Sequence, residues 1–191
     1  RVLSLVEGAF YGEHTGEFTV EAGRPDTMTP EKALSMKKHR VSRVSVNPQT
    51  MQQRTLERIG RAHTPEDIVR MFRLLRETGD FSINMDVILG LPGETRSDVA
   101  DTMAKVLALA PDDVTLHSLA LKRGSKLKMH LEEYELPNDA EVQAMFRTAM
   151  EQVQNEGFLP YYLYRQGYMS GQMENVGCAR PGAESMYNMQ I

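Results

Sequence analysis

Several polar residues stand where short apolar segments end, and their types suggest ligand recognition more than bond cleavage. Asp86 interrupts the apolar run Met85, Val87, Ile88 and Leu89. A carboxylate in such a run is costly unless something hydrogen-bonds it, so it marks either a ligand contact or a structural partner such as a backbone amide. Glu21 closes the segment Glu17 to Ala22 and reads equally as a ligand contact or a solvent-exposed side chain. Asn47 and Gln49 close Arg43 to Asn47, and Gln49 reads either as a contact or as a cap on the helix after Pro48. Arg61 and His63 sit in Gly60-Arg61-Ala62-His63-Thr64. The planar fork of Arg61 suits a carboxylate or phosphate, against the plainer reading of a surface loop. Gly90-Leu91-Pro92-Gly93-Glu94-Thr95 lacks phosphate-loop spacing, so its glycines are expected to let the chain turn closely over a ligand.

Other chemistries lack a residue set. Ser45, Ser118 and Ser185 sit in no nucleophile elbow. Cys178 is the only cysteine and has no readable base beside it, and His14, His39, His63, His117 and His130 have no metal-ligand spacing. The 13 methionines fall mostly on helical apolar faces, as core filler.

The elements that must position these residues alternate. Strands are expected at Glu17–Ala22, Arg43–Asn47, Ser82–Leu89 and Asp113–Leu119. Thr29-Pro30-Glu31 and Thr64-Pro65-Glu66 open helices with a capping threonine and a first-turn proline. A short helix is expected near Met51 to Ile59, and another runs from Thr95 to Ala110. This βα rhythm predicts a parallel sheet, and the apolar runs predict strands buried on both faces. Ligands of such sheets bind at the carboxyl ends of the strands, which places Glu21, Asn47, Gln49, Asp86 and the backbone of Leu119-Ala120 there. The units are too few for a closed eight-stranded barrel of about 250 residues. After Lys122 the pattern changes to a long amphipathic helix, Asn138–Glu156, and a strand, Phe158–Tyr164, whose Pro160 suits an edge. The Gly- and Met-rich end has no readable period. The expected fold is therefore α/β: a partial parallel β/α (TIM-like) barrel over 1–122 with a smaller α+β portion over 123–191.

The composition is ordinary for a globular chain, with 22 basic and 26 acidic residues and a net charge of −4. No basic stripe points to nucleic acid, and no apolar run approaches the roughly 18–20 residues of a membrane span. A single thiol favours the cytoplasm.

Ser45-Val46-Asn47-Pro48-Gln49-Thr50, Ile59-Gly60-Arg61-Ala62-His63-Thr64 and Asn84-Met85-Asp86-Val87-Ile88-Leu89-Gly90-Leu91-Pro92-Gly93-Glu94-Thr95 together resemble the radical S-adenosylmethionine (SAM) proteins of the oxygen-independent coproporphyrinogen III oxidase family, in order and spacing. Leu116-His117-Ser118-Leu119-Ala120 and Asn175 to Ser185 fit later family segments, so the likeness covers nearly the whole chain. It implies a partial barrel of about six βα units. It also implies SAM and a [4Fe–4S] cluster held by three cysteines, and a 5′-deoxyadenosyl radical that abstracts hydrogen from a propionate of coproporphyrinogen III. Carbon dioxide is then lost and a vinyl group remains. An electron donor such as flavodoxin or ferredoxin is implied as well. By motif match, Glu21, Gln49, Arg61 and Asp86 fall on SAM-contacting positions, and Ala120 on a backbone contact. Carboxylates and amides can accept ribose hydroxyls, and Arg61 can pair with the methionine carboxylate. The tri-cysteine motif is absent, and its family position precedes Arg1, so an N-terminal truncation is expected. Relatives that act as haem chaperones carry a His-Asn pair near the end, where this chain has Tyr187-Asn188. A haem-binding carrier on the same scaffold is the second reading, and an unrelated nucleotide-binding β/α barrel the third.

Overall fold

The computed structural model describes residues 1–120, 134–165 and 170–190. The expected division at 122/123 and His130 lie outside the described residues. In chain order the elements are α1 (Val2–Phe10), β1 (Thr19–Gly23), α2 (Pro30–Lys38), β2 (Arg43–Gln49), α3 (Gln53–Arg58), α4 (Pro65–Thr78) and β3 (Ser82–Leu89). They continue with α5 (Arg96–Ala108), β4 (Asp113–Ser118), α6 (Asp139–Asn155), β5 (Leu159–Tyr164), β6 (Asn175–Ala179) and α7 (Met186–Gln190).

Helix starts follow the capping chemistry. The Thr29 side chain accepts from the Lys32 amide at the head of α2. Thr64 with Asp67, Thr95 with Asp98, and Asn138 with Glu141 form reciprocal capping boxes at α4, α5 and α6. Each cap satisfies backbone donors that the first turn leaves unpaired, worth about 1 kcal/mol.

The strands form one six-stranded sheet in the order β1-β2-β3-β4-β6-β5. β1 to β4 are parallel, as the βα rhythm requires. β6 then pairs antiparallel with β4, and β5 antiparallel with β6 at the outer edge, where Pro160 is tolerated. β6 is the element that periodicity missed. Its five residues are all buried, so nothing in them alternates.

One face of the sheet is apolar. Val44, Val46, Ile83, Met85, Val87, Val114 and Leu116 are at most 1% exposed. They belong to one core with Ala33 and Met36 of α2, Ile68 and Leu75 of α4, Val99 and Met103 of α5, and Met145 and Val153 of α6. The opposite face meets the expectation of burial on both faces in β2 and β4 but not in β3. β3 alternates strictly between buried and half-buried positions. β2 and β4 are buried on both faces, but their second face is polar, with Arg43, Ser45, Asp113 and Thr115. A charge on that face needs partners, and these partners build the site.

Candidate functional site

Strand register sets polar residues side by side. Glu21 lies opposite Ser45, Ser45 opposite Asn84, and Asn84 opposite Asp113, giving one row across β1 to β4. Asp86 and Thr115 form the next pair towards the carboxyl ends, with Gly177 beyond them on β6. A cavity of about 210 Å³ is lined by Glu21, Ser45, Asn84, Asp86 and Thr115 together with Tyr162 from the far edge. Residues of β1 and β5 therefore share one cavity, so the sheet is curled and this polar face is a lumen.

Within it, the Asn84 amide donates to Asp86 Oδ1 at 2.8 Å, and Thr115 Oγ1 donates to Asn84 Oδ1 at 3.2 Å. His117 Nε2 stands 3.6 Å from Asp86 Oδ1. The partner of the Asp86 carboxylate is thus a side-chain amide on its own strand face, and not a backbone amide.

At the amino-terminal end of the strands, Arg43 Nε donates to Glu17 Oε2 at 2.7 Å and its Nη2 to the Ala183 carbonyl at 2.7 Å. Its Nη1 lies 3.4 Å from Asp113 Oδ2, which also accepts from the Tyr161 hydroxyl at 2.6 Å. Burial pushes the Asp113 carboxyl up to about 7, against the opposing pull of Tyr161 and Arg43. Burial and the neighbouring Asp113 push the Tyr161 hydroxyl upward too. Burial alone would raise Glu17 as well, but its bonds from Arg43 and Thr19 hold it below the usual carboxylate range. The register of β5 against β6 shifts between Pro160 and Tyr162, at Tyr161. Opposite it, Gly177 is open enough for the Tyr161 ring, and a Cβ there would approach that ring to 3.2 Å.

At the carboxyl end, Gln49 is buried and has φ +66, an uncommon conformation for a side chain with a Cβ. Its Nε2 donates to the Asn47 carbonyl at 3.4 Å. Thr50 Oγ1 bonds Glu94 Oε1 at 2.6 Å and lies 3.2 Å from Thr102 Oγ1. Burial raises the Glu94 carboxyl, with the bond from Thr50 opposing. His63 Nε2 lies 3.4 Å from the Pro48 carbonyl, and burial lowers this imidazole, which favours the neutral ring as donor. This contact ties the Arg61–His63 segment to the end of β2. The glycines of the 90–95 turn have φ +86 and +72, and protein groups fill the space beside them. Gly90 faces Val142 and Ser170, and Gly93 faces Arg58, which donates to the Pro92 carbonyl at 3.1 Å. The Gly-rich turn therefore packs against α3 and α6.

Glu21 and Asp86 line the same cavity, whereas Gln49, Arg61 and Ala120 are not among its lining residues. Gln49 ends β2, Arg61 lies half-buried in the β2–α4 connection, and Ala120 is half-buried just beyond β4. A larger groove of about 1320 Å³ on the helix side, with Met28, Val69, Leu74 and Leu109, contains none of these residues. Arg43, Asp113 and Tyr161 were not singled out from sequence. The available signal was a charged residue opening each of two apolar strands, Arg43 before Val44 and Asp113 before Val114.

A sequence model of the Radical SAM superfamily matches residues 5–106. The chain belongs to this superfamily. Among relatives, this radical SAM chain is 42% identical over 175 residues to the oxygen-independent coproporphyrinogen-III oxidase-like protein HemZ of Bacillus subtilis (strain 168), covering 92% of this chain and 35% of that protein. It is 29% identical to the heme chaperone HemW of the same organism, covering 91% of this chain and 43% of that protein. The structure of Escherichia coli coproporphyrinogen III oxidase (HemN) superposes with a TM-score of 0.77 at 19% identity, over 95% of this chain and 39% of that one. The chain thus spans less than half the length of these relatives.

Membership of the radical SAM superfamily implies SAM and a [4Fe–4S] cluster. The lumen and its carboxyl end fit a polar ligand. Ser45 Oγ and Asn47 Oδ1 are buried and have no hydrogen-bond partner among the described residues. Groups of this kind cost free energy unless a ligand or water meets them. The cluster does not fit residues of this chain. Cys178 is the only cysteine, is buried beside Met150, and burial pushes its thiol up to about 11. No group of three or more metal-ligating side chains is found among the described residues. Among the same residues, no helix is long and apolar enough to cross a membrane.

Proposed function

We propose that this chain supplies the SAM-facing half-barrel of an oxidoreductase that converts propionate side chains of coproporphyrinogen III to vinyl groups. The observation that carries the ligand reading is the polar strand face. Barrel interiors are normally filled by layers of branched apolar side chains. Here that position holds the row Glu21, Ser45, Asn84 and Asp113, with Asp86 above it. The 42% identity to the oxidase-like protein HemZ supports the reaction class.

When bound, SAM and the cluster supply a hydrogen-abstracting radical. The residues of this chain bind and orient. Glu21, Gln49 and Asp86 accept ribose hydroxyls, Arg61 pairs its guanidinium with the methionine carboxylate, and Ala120 contributes a backbone contact. The Gln49 side-chain amide donates to the Asn47 carbonyl at 3.4 Å, which leaves its oxygen to accept. Residues 1–122 form the SAM-binding part, and 123–191 the part that meets the tetrapyrrole. The protein works in the cytoplasm with an electron donor such as flavodoxin or ferredoxin.

The test is anaerobic turnover by the intact protein with SAM, reductant and coproporphyrinogen III, read as vinyl product by mass. Product formation supports the proposal; SAM cleavage without vinyl product overturns it. The second reading, a haem-binding carrier, is favoured by the similarity to HemW and by Tyr162, Tyr164 and Tyr187 lining the lumen. A stoichiometric Soret shift with haemin, without turnover, would select it.

A further inference from the structure

The segment after β6 crosses the amino-terminal end of the lumen and is held there mainly by polar contacts, with the Met186 side chain lying against Gly16. Arg43 donates to the Ala183 carbonyl at 2.7 Å, and Asn188 Nδ2 donates to the Tyr161 hydroxyl at 3.0 Å. Ser185 Oγ donates to Glu17 Oε1 at 3.3 Å, and the Met186 amide to Glu17 Oε2 at 3.4 Å. No residue of α7 is buried, and Met186, Tyr187 and Met189 are exposed. Tyr187 and Asn188 nevertheless line the lumen. Upstream of the segment, Arg180 is anchored by its amide on the Asp112 carbonyl at 2.9 Å and by its guanidinium over the Phe158 ring. Between anchor and segment lies Gly182, with φ +84 and nothing close to its α-carbon hydrogen side. Such a piece, with a fixed anchor, a glycine hinge and little apolar burial, belongs to the low end of local stability.

We propose that residues 183–190 are a releasable strap across the amino-terminal end of the lumen, hinged at Gly182 and latched by Arg43, Asp113 and Tyr161. The strap covers the latch, and the latch holds the strap. Asp113 is fully buried, its Oδ2 is shared by Tyr161 and Arg43, and its Oδ1 has no partner among the described residues. The charged or titratable groups that face it are Arg43 from β2, Asp86 from β3, Tyr161 from β5 and Glu17 ahead of β1, with the Cys178 thiol of β6 across the sheet. Strap release admits water to this cluster. Closed, the Asp113 carboxyl titrates at about 7; exposed, it returns towards its ordinary 3.8. The closed state therefore holds the extra proton. Raising pH between those values favours release by up to about tenfold per unit, and above 7 the dependence flattens. Release also enlarges a lumen of about 210 Å³, below the roughly 300–1,000 Å³ of common ligand pockets.

Hydrogen exchange of the intact protein, corrected for intrinsic rates, tests this between pH 5 and 8. Peptides covering 183–190 should lose protection as pH rises to 7, while peptides from β2 to β4 do not. Asp113→Asn should flatten that dependence. Tyr161→Phe keeps the ring and removes only the hydroxyl, and should raise exchange in 183–190 about tenfold at pH 8. Strap protection independent of pH in the unmodified protein overturns the proposal, as does loss of protection by strap and central strands together. The pH series on the unmodified protein decides the matter even where a variant fails to fold.

Discussion

Replacing Asp86 by alanine should weaken SAM binding far more than replacing Asp67. Asp86 has an 18% exposed side chain in the lumen, with one oxygen taken by Asn84 and the other available to a ligand. A hydrogen bond to a charged group is worth about 1.5–3 kcal/mol, and about 1.4 kcal/mol is tenfold in affinity. Loss of the carboxylate should therefore raise Kd roughly 10- to 100-fold. Asp67 carries the same charge but belongs to the capping box of α4 and pairs with Arg70. Its loss should cost about 1 kcal/mol of stability and leave Kd within about twofold. Calorimetric titration of SAM into both variants of the intact protein, with thermal unfolding alongside, measures both quantities. Asp86→Asn should fall between the two, since an amide oxygen still accepts. Equal, small changes in Kd for Asp86→Ala and Asp67→Ala would refute a ligand role for the lumen face.

Arg61→Lys should weaken SAM binding about tenfold although charge is kept, because an ammonium cannot form the two parallel bonds of a guanidinium; unchanged affinity by calorimetry would return Arg61 to a loop role. Gly177→Ala should destabilise the fold by about 1–3 kcal/mol in urea, since the new methyl meets the Tyr161 ring at 3.2 Å. Combined with Tyr161→Ala the cost should shrink, and strictly additive effects would mean the ring is not what the methyl strikes. Anaerobic iron and sulfide reconstitution of residues 1–191 should yield no stoichiometric cluster, because their one cysteine is buried; a bound cluster by iron and sulfide assay would show an overlooked ligand set.

What could be read from the sequence was what local chemistry fixes. Thr64, Thr95 and Asn138 announce their helices because a capping side chain acts within three residues. β3 was legible to the residue, because its flanking Gly79 and Gly90 bound it. β6 was not, because a strand buried on both faces and paired on both sides has no alternation of its own. The placement of Glu21 and Asp86 in one lumen follows from the parallel register that the βα rhythm predicts. The Arg43 cluster was invisible for a different reason. Its contacts to Glu17, Asp113 and Ala183 span 26, 70 and 140 positions, so no window of sequence holds the pattern.

The insertion of β6 between β4 and β5 also sets an order of assembly. β1 to β4 join neighbours through short crossovers and can pair as they are made. β4 must wait for its last neighbour, since Ser118 and Asn175 meet across 57 positions. Closing so long a loop costs entropy before any contact repays it, which slows non-local pairing. During synthesis the nascent half-sheet therefore carries a bare β4 margin beside Val114 and Leu116, and exposed strand margins recruit other chains. A product cut short after Ser118 keeps that margin open permanently and should collect in the insoluble fraction. One cut after Ala179 has its β4 margin covered.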